Sequence, residues 1–227
     1  MAKILWYGDA VSNTGFARVT HSVLDHLKKE HEVVLYGINY QGDPHDYPFK
    51  IYPGAAHNPN DRFGVGRIQQ ILEKEKPDFF ICLNDIWICN QIWERVHFLK
   101  AQFDFKFIAY FPTDSEWYPL PMLRYIKDWD FAITFTVQQA QRLMAHGVQP
   151  KKMGVVPHGL DRDKFFEIDQ REARKRLGLP QDKFIVFNGN RNQPRKCIDQ
   201  TIKAFAEFCV DKLSLIHISE PTRQAEI

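Results

Sequence analysis

Short apolar stretches alternate along the chain with longer segments whose apolar positions recur at a helical period. The short stretches are typical of strands, and the longer segments are typical of amphipathic helices. The predicted strands up to residue 157 are KILWYG, HEVVLYGI, PDFFICL, FKFIAYF, FAITFT and KMGVVP. The helices between them are predicted as FARVTHSVLDHLKKE, VGRIQQILEKEK, IWICNQIWERVHFLKA and VQQAQRLMAHG. This order predicts an α/β fold with a doubly wound parallel sheet.

The alternation is interrupted once and then begins again. HGLDRDKFFEID has the composition of a linker, and the helix QREARKRLGLP, the strand KFIVFNG and the helix CIDQTIKAFAEF follow it. We therefore predict a Rossmann-like domain with its linker over 1–168 and the start of a second domain over 169–212. The Pro-, Gly- and Asn-rich connection 39–62 is predicted to be a long loop.

Composition excludes several classes of protein. Of the 227 residues, 44% are hydrophobic and 26% are charged, which is ordinary for a globular protein. The net charge of +2 is nearly balanced, so no nucleic-acid partner is expected. No apolar run approaches the ~20 residues of a membrane span, so no transmembrane segment is expected. The four cysteines form no C-x-x-C pair, which favours reduced thiols and a cytoplasmic location.

The C-terminal segment 213–227 differs from everything before it. The helix that precedes it stops without a capping residue or a glycine. Residues 213–223, LSLIHISEPTR, can be written as codons that resemble a sequencing adapter translated in frame. We therefore expect 213–227 to be non-native and the natural chain to continue differently after Lys212. The alternative is a genuine edge strand, LSLIHIS.

A cluster of cations lies in the loop that connects the last predicted strand before Lys212 to the helix that follows it. In FNGNRNQPRKCID, Arg191 and Lys196 flank Pro194. Free N–H groups and the positive end of the dipole make a helix N-terminus an anion site, and added cations suit it to a diphosphate. A solvated basic loop is the alternative interpretation.

The segments GVVPHGLDRDKF, RKRLGLP and FIVFNGNRNQPRKCIDQTIKAFAEF together resemble family 4 glycosyltransferases of the GT-B fold. The resemblance covers nearly all of 1–212. It implies a GT-B-like α/β fold with one complete Rossmann-like, acceptor-side domain and the beginning of a nucleotide-sugar-binding domain. Two departures stand out: Asn190 is an insertion, and Cys197 occupies a position that is usually glycine.

The resemblance also implies roles for individual residues. Arg191 and Lys196 would bind the diphosphate of the donor. Four further residues are candidates for the cleft that holds donor or acceptor: Gly15, Asp114, His158 and Gly159. Simple turn chemistry explains Gly15 equally well, a helix N-cap explains Asp114, and a plain turn explains His158 and Gly159. Asp85, at another strand end, is interpreted as an N-cap.

The implied activity is hexosyl transfer with retention, from a nucleotide-diphosphate sugar to a carbohydrate or glycan acceptor, without a cofactor or metal. No catalytic residue is assigned, because the family's Glu pair is expected beyond Lys212, and the chain alone is predicted to be inactive. The D-x-D triplets at 128–130 and 161–163 are predicted to be solvated or capping. Two alternatives stay open: a non-catalytic module that binds a nucleotide sugar or phosphate, and a GT-B-fold sugar-nucleotide epimerase.

Overall fold

The computed structural model describes residues 1–56, 58, 60–113, 115, 118–209 and the backbone of 215–219. Two compact units divide the chain, Met1–Gly159 and Leu160–Ile227. The predicted boundary at residue 168 stays a prediction. Within the described ranges, no helix has both the length and the apolar character needed to cross a bilayer.

The first unit is built on a sheet of seven parallel strands in the order β3-β2-β1-β4-β5-β6-β7. The strands are β1 Lys3–Asp9, β2 Glu32–Ile38, β3 Lys50–Pro53, β4 Phe79–Leu83, β5 Lys106–Tyr110, β6 Phe131–Thr134 and β7 Met153–Val155. The helices are α1 Gly15–Leu27, α2 Ile68–Glu75, α3 Ile86–Val96, α4 Leu120–Leu123 and α5 Val137–Ala145. The predicted α/β architecture with a doubly wound parallel sheet is confirmed.

Both faces of the sheet are covered, which explains why its central strands are apolar at nearly every position. Leu5 and Tyr7 of β1 belong to the core cluster that α2 and α3 also enter. Trp6, between them, belongs to the cluster on the opposite face, with Leu24 of α1. The indole Nε1 of Trp6 donates to Thr20 Oγ1 at 3.2 Å, so this buried polar atom has a partner.

The prediction that 39–62 is entirely a loop was wrong in one respect, because this segment contains the edge strand β3. Residues 39–49 carry the chain from the carboxyl end of β2 back to the amino end of β3, as a parallel pair requires, but without a helix. Instead, the ring of Tyr47 stacks on His21 of α1 at 3.7 Å, and Phe49 is buried. A strand of four residues whose last residue is Pro53 has too little periodicity to stand out.

Local capping chemistry sets the start of two helices. The hydroxyl of Thr14 accepts from Ala17 N at 3.1 Å, one turn into α1. At α5, Thr136 and Gln139 form a reciprocal capping box. These caps satisfy N–H groups that have no partner inside the helix.

The second unit contains α6 (Gln170–Arg176), β8 (Phe184–Asn188), a 3-10 turn (Pro194–Lys196) and α7 (Ile198–Phe208). The backbone of β9 (Leu215–Ser219) pairs with β8 in parallel. That strand lies in the segment predicted to be non-native.

Candidate functional site

The sheet of the first unit has a topological switch point between β1 and β4. From β1 the chain runs to β2 and β3 on one side, and then returns to build β4 to β7 on the other. In open α/β sheets, ligands bind at the carboxyl ends of the strands at such a point. The β1–β4 register pairs Tyr7 with Cys82, and extending it by two residues places Asp9 opposite Asn84.

The loop that leaves β1 is held by one hydroxyl. Thr14 Oγ1 donates to Asp9 Oδ2 at 2.5 Å while it caps α1. Gly15 is the first residue of α1, and a Cβ built there would meet nothing within 4 Å. Packing in the first unit therefore does not require glycine at this position. The N-terminus of α1 borders open space at the switch point.

Two buried polar atoms at this end of the sheet have no hydrogen-bond partner among the described residues. Asp9 is 6% exposed and its Oδ1 is unpartnered, and Thr113 is 3% exposed and its Oγ1 is unpartnered. Buried polar atoms are nearly always paired, so each exception calls for an explanation, which a ligand or water can supply. Asp114, the predicted neighbour of Thr113, lies outside the described residues.

Sequence reasoning missed Asp9, although a signal was present. Leu5 and Tyr7 face one core cluster, and the alternation of a strand places Asp9 on the same side. A carboxylate in the register of core positions is unusual, because burying a charge is costly.

Asp85 occupies the N-cap position of α3, as predicted, although its side chain makes no capping hydrogen bond to that helix. The side chain of Asn84 is buried, and its Oδ1 accepts from Asp85 N at 2.9 Å. Asn84 therefore holds the turn that leaves β4, next to Asp9.

His158 and Gly159 follow β7 at the same end of the sheet. The His158 ring packs against Phe135 at 3.9 Å and against Tyr110 at 5.7 Å. Burial lowers the pKa of His158 below its ordinary value of 6.5, so the ring is neutral at pH 7. A Cβ on Gly159 would meet nothing within 4 Å.

In the second unit, the cation loop connects β8 to α7. Arg191 is exposed, and Lys196 is half-buried at the end of the 3-10 turn. In the part of the chain that is described, no carboxylate lies within 4 Å of Arg191, Arg195 or Lys196. Three cations on one loop suit a ligand anion.

The two departures from the family pattern have different structural consequences. Asn190 turns back on the end of β8, with its N–H donating to Asn188 Oδ1 at 3.1 Å. Cys197, the N-cap of α7, has φ +49°, in the left-handed region. That backbone favours glycine, the residue that the resemblance predicts at this position.

One carboxylate of each D-x-D triplet is engaged. Asp130 pairs with Lys100 and accepts from Phe107 N at 2.8 Å. Asp161 pairs with Lys164 at 3.1 Å and accepts from Asp163 N at 3.1 Å. Over the described positions, no group of three His, Cys, Asp or Glu side chains is arranged to hold a metal ion, and all four cysteines are free thiols.

The first unit thus brings Asp9, Gly15, Thr113 and His158 to one end of its sheet, whereas Arg191 and Lys196 share one loop of the second unit. The first group offers hydrogen-bonding atoms, and the second offers positive charge. The arrangement suits a neutral hydroxyl-bearing ligand on one unit and an anion on the other.

No family model matches the chain. It is 34% identical over 87 residues to D-inositol 3-phosphate glycosyltransferase of Geodermatophilus obscurus, covering 38% of this chain and 19% of the relative. With the enzyme of that name from Mycolicibacterium paratuberculosis it shares 34% identity over 131 residues, 54% of this chain and 29% of the relative. The chain therefore spans less than a third of these curated relatives. The predicted resemblance to glycosyltransferases is confirmed.

Solved structures agree on the fold. Anabaena HepE in complex with UDP and glucose matches 96% of this chain and 61% of its own, with a TM-score of 0.63 and 14% identity. UDP-N-acetylglucosamine 2-epimerase from Rickettsia bellii matches 97% of this chain and 62% of its own, with a TM-score of 0.63 and 16% identity. At such identities the likeness shows the fold alone, and the predicted GT-B-like fold is confirmed.

Proposed function

We propose that this protein is a glycosyltransferase that moves a hexose from a nucleotide-diphosphate sugar to a carbohydrate or glycan acceptor with retention. The first unit holds the acceptor, and the second unit binds the diphosphate of the donor. The observation that carries this proposal is the cation loop before α7, whose cations have no carboxylate within 4 Å among the described residues, in a chain that resembles glycosyltransferases in sequence and fold.

The chemistry of the leaving group explains why cations are needed there. When the bond between the sugar and the diphosphate breaks, negative charge develops on the departing phosphate. Arg191 and Lys196, together with the N-terminus of α7, oppose that charge. Because the charge is larger in the transition state than in the ground state, this interaction accelerates the reaction as well as holding the donor.

The acceptor side needs a different kind of contact. A carbohydrate hydroxyl can donate to Asp9 Oδ1 and can pair with Thr113 Oγ1, both of which are buried and without a hydrogen-bond partner among the described residues. Gly15 leaves room beside them at the start of α1. No residue is assigned as a catalytic base.

Calorimetric titration with UDP tests the donor side. Replacing Arg191 or Lys196 with alanine removes a charge-assisted hydrogen bond, so we expect UDP binding to weaken about tenfold or more. Lys203→Ala is the matched control, because Lys203 is an exposed cation on α7 and its replacement changes the net charge equally. Unchanged UDP affinity in both loop variants would contradict the proposal.

Two alternatives make different predictions in the same laboratory. A sugar-nucleotide epimerase, the activity named for one of the structural neighbours, inverts a sugar carbon and yields a sugar that is again attached to UDP. A non-catalytic module binds UDP and converts nothing. Incubation with UDP-N-acetylglucosamine, followed by proton NMR of the sugar, tests the epimerase: inversion of a sugar carbon would favour it, whereas the proposed function predicts that this chain alone leaves the sugar unchanged. The glycosyltransferase names of the curated relatives favour sugar transfer over epimerisation.

A further inference from the structure

Trp87 is an exposed tryptophan at the switch point. Trp6, Trp93 and Trp129 are each at most 6% exposed, whereas Trp87 is 39% exposed. It is the second residue of α3, and its ring meets Phe63 edge to face, with centroids 5.2 Å apart and an interplanar angle of 81°. The contact with Phe63 fixes the indole and leaves part of it open to solvent.

The fold brings this aromatic pair to the same corner as Asp9. The helix α3 begins three residues beyond β4, the strand that neighbours β1 at the switch point. Tyr7 lies on the face of the sheet that α3 covers, and its hydroxyl donates to Phe63 O at 2.7 Å. Strand alternation places Asp9 on that face as well, two residues beyond Tyr7.

The polar atom at this corner has a free lone pair. Asp9 is more than nine-tenths buried, its Oδ2 accepts from Thr14, and its Oδ1 has no partner within the described part of the chain. A carboxylate oxygen accepts hydrogen bonds from hydroxyl groups and repels anions. A partly exposed aromatic ring can pack against an apolar surface of a ligand whose polar groups remain solvated.

A sugar ring has the two surfaces that this corner matches. One face of a pyranose presents C–H groups, and its edge presents hydroxyls. We infer that Trp87, supported by Phe63, is the stacking platform of a subsite for a neutral carbohydrate, with a hydroxyl of that sugar donating to Asp9 Oδ1. The inference rests on the proposed function for the acceptor class. It adds that the bound sugar is uncharged and that Trp87 is the residue that stacks on it.

The subsite is tested by probing a printed array of neutral and acidic glycans with the labelled full chain and its variants. The wild-type chain is expected to bind neutral glycans, and titration of the best one is expected to show about five- to tenfold weaker binding to Trp87→Ala. Trp87→Phe keeps a ring and is expected to restore most of the binding. Phe98→Ala is the control, since Phe98 is 44% exposed beyond the other end of α3.

Three results would overturn the inference: no neutral glycan retained above bare linker, binding to acidic glycans only, or equal affinity of wild-type and Trp87→Ala chains. Far-UV circular dichroism checks that the variants are folded. If Trp87→Ala does not fold, Trp87→Gln takes its place, because it also removes the ring but keeps a long side chain, and the same loss of glycan binding is expected. UDP titration of the same preparations separates the two proposals. Lost glycan binding with intact UDP binding removes this subsite alone, whereas unchanged UDP affinity in the Arg191 and Lys196 variants removes the donor assignment alone.

Discussion

Glu75 anchors an ion-pair network at the amino end of the sheet, and its removal is expected to destabilise the first unit. Its carboxylate, 7% exposed at the end of α2, receives Lys3 Nζ at 2.7 Å and Lys50 Nζ at 2.6 Å. The hydroxyl of Tyr52 also donates to it. The network therefore ties α2 to the first residues of β1 and β3.

The pKa of Glu75 gives the magnitude. Burial by itself would raise this pKa, but the hydrogen bonds from Lys3, Lys50 and Tyr52 outweigh burial and lower the pKa from 4.5 to about 2. By linkage, this difference corresponds to about 3 kcal/mol of stability at neutral pH. Lys50 is half exposed, so solvent screens part of the interaction, and we expect Glu75→Gln to cost about 2 to 3 kcal/mol.

The pH dependence follows from the direction of the shift. Because the folded pKa lies below the ordinary value, the stabilisation is present above pH 4.5 and is lost as the pH falls towards 2. The difference in unfolding free energy between wild type and Glu75→Gln should therefore be constant from pH 6 to 8 and shrink to about half or less at pH 3.

Urea unfolding followed by tryptophan fluorescence measures this difference, since all five tryptophans lie within residues 1–159. Glu73→Gln is the matched control on α2, where Gln69 Nε2 donates to the Glu73 carboxylate and a glutamine oxygen can accept in its place. A difference under about 0.5 kcal/mol at pH 7, the range of ordinary surface substitutions, would refute the network argument. So would a difference that stays the same at pH 3.

Two further predictions concern backbone conformation. Cys197→Gly relieves a left-handed φ and is expected to stabilise α7 by about 1 kcal/mol, seen as slower hydrogen exchange in 198–208, whereas Cys197→Ala brings no gain. Gly64→Ala is expected to cost about 1 to 3 kcal/mol in urea unfolding, because φ is +65° and the new Cβ would lie 2.5 Å from Tyr36 Oη. Gly15→Ala, with nothing within 4 Å, is the control, and equal losses in both variants would contradict the steric argument.

The order of strands and helices was predictable because it depends on local periodicity. Strands β1, β2 and β4 are long enough, and buried enough on both faces, to appear as continuous apolar runs. Strand β3 was not predictable in this way. Its four residues form a strand because they pair with β2, and they are too few to show an alternating pattern in the sequence.

The candidate site was predicted unevenly. The position of Arg191 and Lys196 between a strand and a helix could be predicted, because the pattern of each element is contained in a short stretch of sequence. Asp9 escaped notice because an acidic residue after a strand is usually solvated, and its burial depends on neighbours that are distant in sequence. Trp87 likewise resembled one more apolar position of α3, since exposure is not a property of a residue's immediate sequence.

The alternation of elements, the near balance of charge and the motifs that resemble glycosyltransferases could be read from the amino-acid sequence, because the elements and motifs depend on residues close together in the chain and the charge on composition alone. The strand order, the burial of Asp9 and the pairing of Trp87 with Phe63 became visible in the folded chain. Those features arise where segments far apart in sequence meet at the carboxyl ends of β1 and β4. Local periodicity carries no information about which distant segments will meet, so packing alone sets them.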